Sequence, residues 1–214
     1  MSVKAAAWVA QKLNGLGEKW SASHRKGTNQ VEILREEKDS FLAAVLGVEN
    51  VTVEEVQASL TDPQVEFIMN LPKESYWSGS AIECAASRPV GWGGFGDLVR
   101  ATSYDDDVRT YENPDFKFIN RGLRQHSNIS SFDRLSDRCY EITRKRLGVI
   151  RVIFLHEYDI EADHIRSAVD RYGRAQIFVH ANPNGSTSDA AHEAAKQIKA
   201  GVYKWGEFLG RLNR

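Results

Sequence analysis

A chain of 214 residues that is 42% hydrophobic, with five Trp, nine Phe and seven Tyr, has enough apolar surface for an ordinary packed core, which excludes a disordered partner segment. Its formal net charge is −1, but the charge is uneven: residues 31–115 carry 17 Asp or Glu against 6 Lys or Arg, and residues 117–151 carry 9 Lys or Arg against 3 acids. No apolar run approaches a membrane span, and Cys84 and Cys139 have no Cys or His at ligand spacing beside them. Buried free thiols in a reducing, cytoplasmic setting are therefore expected, with no membrane partner.

In chain order, Val3, Ala6, Val9, Ala10, Leu13 and Leu16 fall on one face and predict a first helix. The polar stretch 20–30, WSASHRKGTNQ, reads as a loop, and Phe41, Leu42, Val45 and Leu46 predict a helix that Gly47 ends. Thr52 to Glu55 is a capping-box signature for a further helix, which Asp62-Pro63 breaks. Residues 65–69 predict a strand, and Ser80 to Glu83 is a second capping box. The glycines of Pro89 to Leu98 come with no Walker lysine, so a tight turn is expected there; Gly93 and Gly94 are kept as candidate ligand-loop residues. Asp105, Asp106 and Asp107 are adjacent and diverge, which predicts a solvated loop. No internal repeat is evident.

The basic block is a candidate surface for anions. Arg121 and Arg124, three apart on a predicted helix, share a face, and Arg134, Arg138, Arg144 and Lys145 complete the candidate nucleic-acid contacts. Residues 137–143 alternate as a strand does. From Gly148 to Leu212, apolar strand-length runs and helical patterns follow one another in β-α-β-α-β order. Asn182, Asn184 and Gly185 follow a strand and precede a helix, where open α/β sheets bind ligands. The expected fold is α/β: a central mixed sheet with a β-α-β-α-β carboxy-terminal half and a helix-rich amino-terminal half. The expected division is a helix-rich region over 1–103, with a strand and the glycine-rich loop, and an α/β domain over 116–214, packed together as one globule.

The strand hairpin, the β-α-β-α-β run and the closing Trp205-Gly206-Glu207-Phe208-Leu209 resemble the catalytic core of restriction-endonuclease-like proteins of the Mrr type, over residues 132–212. The resemblance is one of pattern. It implies a carboxylate at Ser136-Asp137 and a second group at Glu157-Tyr158-Asp159, where the family has Glu-x-Lys. It thereby implies Asp137, Glu157 and Asp159 as catalytic residues, with Mg2+ or Mn2+ on Asp137 and Glu157. Asp159 in place of lysine removes the group that assists the attacking water, so the resemblance is compatible with a hydrolase or with a catalytically altered relative.

Two function classes follow. The first is a nucleic-acid-acting protein related to metal-dependent endonucleases, with DNA or RNA as partner. The second is a small-molecule or nucleotide-binding α/β domain without nuclease activity, using the loops at Gly91 to Gly96 and Asn182 to Gly185. Helix caps and ion pairs are the plainer roles for Asp137, Glu157 and Asp159, and solvent-facing positions are expected for His156 and His164.

Overall fold

The computed structural model describes residues 2–17 and 19–213. The chain divides into two compact units, Met1–Pro114 and Asp115–Arg214. Both belong to the α/β class.

The amino-terminal unit runs α1 (Ser2–Asn14), β1 (Trp20–His24), β2 (Gln30–Arg35), β3 (Phe41–Leu46), β4 (Asn50–Val51), α2 (Val53–Ser59), β5 (Val65–Asn70), β6 (Tyr76–Trp77), α3 (Gly79–Ser87), β7 (Gly91–Gly93) and α4 (Phe95–Tyr104). Its sheet has the order β1-β2-β3-β5-β7; the first three strands are an antiparallel meander and the last three are parallel. Alternation along the central strands splits the core between the two faces. Ala43, Val45, Phe67 and Met69 meet α1 and α4 on one face, and Leu42, Ala44, Leu46 and Ile68 meet α2 and α3 on the other.

This half therefore departs from its sequence reading. It holds a five-stranded sheet rather than one strand among helices. Phe41 to Leu46 is a strand, not a helix: all six residues are buried because the strand is covered on both faces, and such a run carries no period. Residues 20–24, expected in a loop, form the edge strand β1, with Ala22 buried in the core and Trp20 packed against it on the same face.

The carboxy-terminal unit follows with α5 (Pro114–Gln125), β8 (Ile129–Arg134), β9 (Cys139–Arg144), β10 (Gly148–Leu155), β11 (Asp159–Ile160), α6 (Ala162–Tyr172), β12 (Ile177–His180), β13 (Ser186–Thr187), α7 (Asp189–Gln197), β14 (Gly201–Lys204) and α8 (Trp205–Arg211). Its sheet order is β14-β12-β10-β9-β8, again a meander continued by parallel strands. Ile153, Leu155 and Phe178 pack with α6 and α7, while Val152, Phe154 and Val179 pack with α5 and α8.

The two units repeat one plan, element for element, which corrects the absence of any repeat in the sequence reading. Matching residues lie 109 or 110 positions apart: Leu46 pairs with Asn70 at the sheet's carboxyl edge as Leu155 pairs with His180. The Val45 amide donates to the Asn29 carbonyl as the Phe154 amide donates to that of Arg138. The two-residue parallel ladders β4·β6 and β11·β13 recur as well, each placing two helix starts side by side. At those starts Ser78 accepts from the Ala81 amide at 3.1 Å, and Ser188 from the Ala191 amide at 3.2 Å. Packing preserved the plan and not the letters.

Candidate ligand site at the carboxyl edge of the second sheet

Three parallel strands of the carboxy-terminal unit end in register, Leu155 beside His180 and His180 beside Lys204. Over these ends lies a cavity of about 390 Å³, lined by Asp115 and Phe118 of α5, His156, His180, the 181–183 loop, Lys204, and Trp205 and Gly206 at the start of α8. Open α/β sheets bind ligands at this edge because the loops that leave the strands diverge there and the strands hold their first residues fixed.

His180 is 1% exposed and both of its ring nitrogens are engaged. Nε2 lies 3.1 Å from the Glu157 carbonyl and Nδ1 lies 3.1 Å from the Thr187 hydroxyl. A carbonyl only accepts, so Nε2 carries the hydrogen and Nδ1 accepts from Thr187. The ring closes the cavity floor and ties the loop after β10 to β12. Gly185 is glycine for the same reason: a Cβ there would stand 1.8 Å from the Tyr158 carbonyl oxygen and 2.6 Å from His180 Nε2.

His156 has the opposite condition. Its Nδ1 stands 3.3 Å from Asp115 Oδ2, its side chain is 15% exposed, and its Nε2 is buried without a partner. Burial, and then the Arg138 guanidinium, push its pKa down to about 4, against the weaker opposing fields of Asp115 and Glu157. The imidazole is therefore neutral at pH 7. A carboxylate beside Nδ1 favours the hydrogen there, which leaves the lone pair on Nε2. This corrects the solvent-facing position expected for His156. His164, by contrast, accepts the Glu161 amide at 2.9 Å and completes the cap of α6.

Among the described residues, the buried side-chain atoms without a hydrogen-bond partner are Arg138 Nη1, His156 Nε2 and Glu157 Oε2. Arg138 and Glu157 both act electrostatically on His156. Folded chains leave few such atoms, and several together mark a place where satisfaction within the chain was not the constraint. A larger hollow of about 590 Å³ beside β14, lined in part by His192, Tyr203 and Arg211, contains none of these atoms. Arg211 there lies over the Tyr203 ring at 4.9 Å.

The amino-terminal unit supplies an internal comparison. At the positions of Asp115, Arg138, His156, Glu157 and Lys204 it has Ala5, Asn29, Gly47, Val48 and Gly94. Every charged or titratable member is replaced by an uncharged residue there, and the floor residue His180 is matched by Asn70, which bonds both the amide and the carbonyl of Val48. The aromatic pair is kept: Trp8 and Phe95 lie 5.8 Å apart, Phe118 and Trp205 4.9 Å. The aromatic wall thus belongs to the scaffold, and of the polar set Asp115, His156 and Lys204 line this cavity.

The residues singled out from sequence are distributed as follows. Asp137 is buried before β9, where its Oδ2 accepts from the Tyr172 hydroxyl at 3.2 Å. Asp159 is exposed on β11 and accepts from the Ser186 hydroxyl at 2.6 Å. Among the described residues no three His, Cys, Asp or Glu side chains gather closely enough to hold a metal ion, so Asp137, Glu157 and Asp159 do not form a three-ligand centre. Arg121 and Arg124 are exposed on α5, and Lys145 is exposed in the β9–β10 turn. Arg134 and Arg144 have local partners. Arg134 donates to the carbonyls of Ser136 and Asp137 and lies 3.9 Å from the Phe116 ring centroid, and Arg144 donates to the carbonyls of Leu147 and Gly148.

Asn182 lines the cavity, and its Oδ1 accepts the Asn184 amide at 3.1 Å. Gly93 ends β7 with φ +155°, where a Cβ would strike Asp97, and Gly94 is the N-cap of α4; their glycines serve the strand-to-helix step. The free thiol of Cys139 is buried, which pushes its pKa up to about 11 and leaves it unreactive. Asp115, His180 and Lys204 were not distinguished from sequence. The signal available for the two histidines was position: each directly follows or ends a buried apolar strand run. No helix among the described residues is long and apolar enough to cross a membrane. Compared with known proteins, the sequence matches no family model and no curated sequence.

Proposed function

We propose that the carboxy-terminal unit binds a small polar ligand in the cavity over the carboxyl ends of β10, β12 and β14. The observation that carries this reading is the contrast between the repeats. One plan of strands, caps and aromatic pair serves both, yet Asp115, Arg138, His156, Glu157 and Lys204 stand only in the second, with Ala5, Asn29, Gly47, Val48 and Gly94 at the same places in the first. Stability does not require the polar set, because the first unit is built without it. The test is thermal melting of the full chain against nucleotides, sugar phosphates, carboxylates and amino acids. A ligand at about 100 times its Kd adds about 2.7 kcal/mol, a rise of a few degrees, and Lys204→Ala should abolish the rise. A flat panel would remove the reading.

A second reading, a nucleic-acid-acting protein related to restriction-endonuclease-like enzymes, is supported by a separate observation. The start of β9 and the end of β10 meet, Cys139 opposite Ile153, so Asp137 and Glu157 lie toward the same sheet edge. Lys117, Arg121 and Arg124 are exposed along α5 at helical spacing. In that reading Asp137 and Glu157 are the pair to share Mg2+ or Mn2+, since Asp159 is held by Ser186. Nucleic-acid affinity that falls steeply with salt and is weakened by Arg121→Ala with Arg124→Ala would favour it. So would a rise in melting temperature with Mg2+ or Mn2+ that Glu157→Ala removes, together with plasmid cleavage. Indifference to DNA, RNA and both metals at low salt would exclude it.

A further inference from the structure

We infer that the hollow between β14 and α8 is a docking groove for a peptide segment of a partner, one that carries a β-branched residue and, three positions on, a tyrosine whose hydroxyl donates to Glu207. The first unit carries the argument, because there a segment of this kind already occupies the equivalent place.

Beyond α4 the chain of the first unit forms a single 3-10 turn, Val108–Thr110, that lies against β5 and β7. Val108 and Tyr111 are 1% and 7% exposed and join the core that holds Phe67, Leu98 and Ala101. The Val108 carbonyl lies so close over β7 that a Cβ at Gly91 would strike it, and the Tyr111 ring stands 5.8 Å from that of Phe67. The tyrosine hydroxyl donates to Asp97 Oδ1 at 2.6 Å, while Asp97 Oδ2 accepts the Gly94 amide at 2.8 Å. One acid thus caps α4 and anchors the segment.

The second unit repeats the groove and the anchor. Gly201 pairs with Ile177 as Gly91 pairs with Phe67, and beside it lies the hollow of about 590 Å³, lined by Gly201, Tyr203, Glu207, Gly210 and Arg211 among others. Glu207, at the place of Asp97, accepts the Lys204 amide through Oε2 at 3.0 Å; among the described residues its Oε1 has no hydrogen-bond partner. The side chain is exposed, so the second oxygen can take a hydroxyl hydrogen as Asp97 does. Tyr203 stands over Gly201, where the Val108 carbonyl stands over Gly91, and gives an apolar residue a ring to pack on. Arg211, where the first unit has Ala101, adds a cation that suits acids such as the Asp105 to Asp107 run before Val108. A second copy of this chain does not supply the segment, because its Val108 and Tyr111 are already buried. The occupant is therefore a partner whose segment is exposed, with the tyrosine as its anchor.

The experiment is an NMR titration of the full chain with the synthetic peptide DDDVRTYEN, the sequence of residues 105–113. It should bind with a Kd on the order of 1 mM or tighter and shift the amide signals of Gly201 and Gly210. A peptide with Phe in place of the tyrosine should bind roughly tenfold more weakly, and Glu207→Ala should bring the two peptides to equal affinity. Gly210→Trp, at a position where a Cβ meets open space, should block both peptides while leaving the melting curve unchanged. No saturable binding at millimolar peptide, or shifts confined to the first unit, would overturn the groove. Equal affinity of the two peptides for the unsubstituted chain would overturn the tyrosine anchor. Self-association that Gly210→Trp abolishes, with no response to peptide, would seat a second copy in the hollow and overturn the peptide assignment.

Discussion

Asn70 and His180 occupy the same place in two copies of one fold, 110 residues apart, and each ties the end of its strand to the backbone two residues beyond the neighbouring strand. Asn70 reaches the amide and carbonyl of Val48 at 3.2 and 2.9 Å, and His180 reaches the Glu157 carbonyl at 3.1 Å. Both side chains are almost wholly buried. The plan therefore requires a polar side chain at this point, because the chain leaving the central strand exposes backbone groups that no ladder satisfies.

A substitution follows from that equivalence. His180→Ala should destabilise the carboxy-terminal unit by about 2–3 kcal/mol, because the Glu157 carbonyl and the Thr187 hydroxyl lose their partner and a cavity is left. His180→Asn should recover part of that loss by making the bond Asn70 makes. Urea denaturation of the three proteins measures it, and an asparagine variant no better than alanine would show that the two positions are not equivalent.

The acids at the third position of the last helices invite a second comparison. Asp97 accepts from the Gly94 amide at 2.8 Å, the Tyr111 hydroxyl at 2.6 Å and the Asn113 amide group at 2.7 Å, whereas Glu207 accepts from the Lys204 amide, at 3.0 Å. Asp97→Ala should therefore be unfavourable by about 3 kcal/mol or more, and Glu207→Ala by about 1 kcal/mol, the value of an exposed cap. Guanidinium unfolding monitored by tryptophan fluorescence would check the order, and equal losses would contradict it.

Much of the second unit was legible in the sequence, because β10 and β12 are runs of β-branched and aromatic residues separated by a helix with a clear face, Ile165 and Ala168 inward and Gly173 at its end. The first unit was less so. Phe41 to Leu46 has no period to read, since both faces of β3 are covered, and the short β1 buries fully only Ala22, with Trp20 half-buried beside it. The repeat was hidden because matched positions keep apolar character and burial rather than identity: Val9 and Ile119, Leu98 and Phe208. For the site, Asn182 and Glu157 could be placed after strands by order alone. The joining of Asp115 to His156 could not, because 41 residues separate them and only the packing of α5 against the sheet brings them together.

Acid sensitivity gives a third prediction, with His156 at its centre. Burial and Arg138 hold its folded pKa at about 4, while the unfolded chain has an ordinary histidine near 6.5. Between those values the unfolded state binds the proton and the folded state does not, so stability rises with pH across this window. The contribution is complete above about pH 6.5 and is lost as pH falls toward 4, by up to about 3 kcal/mol for a shift of this size. Asp115 and Glu157 pull the other way, and His180 adds to Arg138. His156→Leu should flatten the fall in stability between pH 6.5 and 4.5, and Arg138→Gln should shrink it by letting the histidine ionise more readily in the fold. Melting temperatures at half-unit pH steps for the three proteins decide the matter. Parallel curves for wild type and His156→Leu would mean that other groups govern the acid limb and that His156 ionises in the fold as freely as in the unfolded chain.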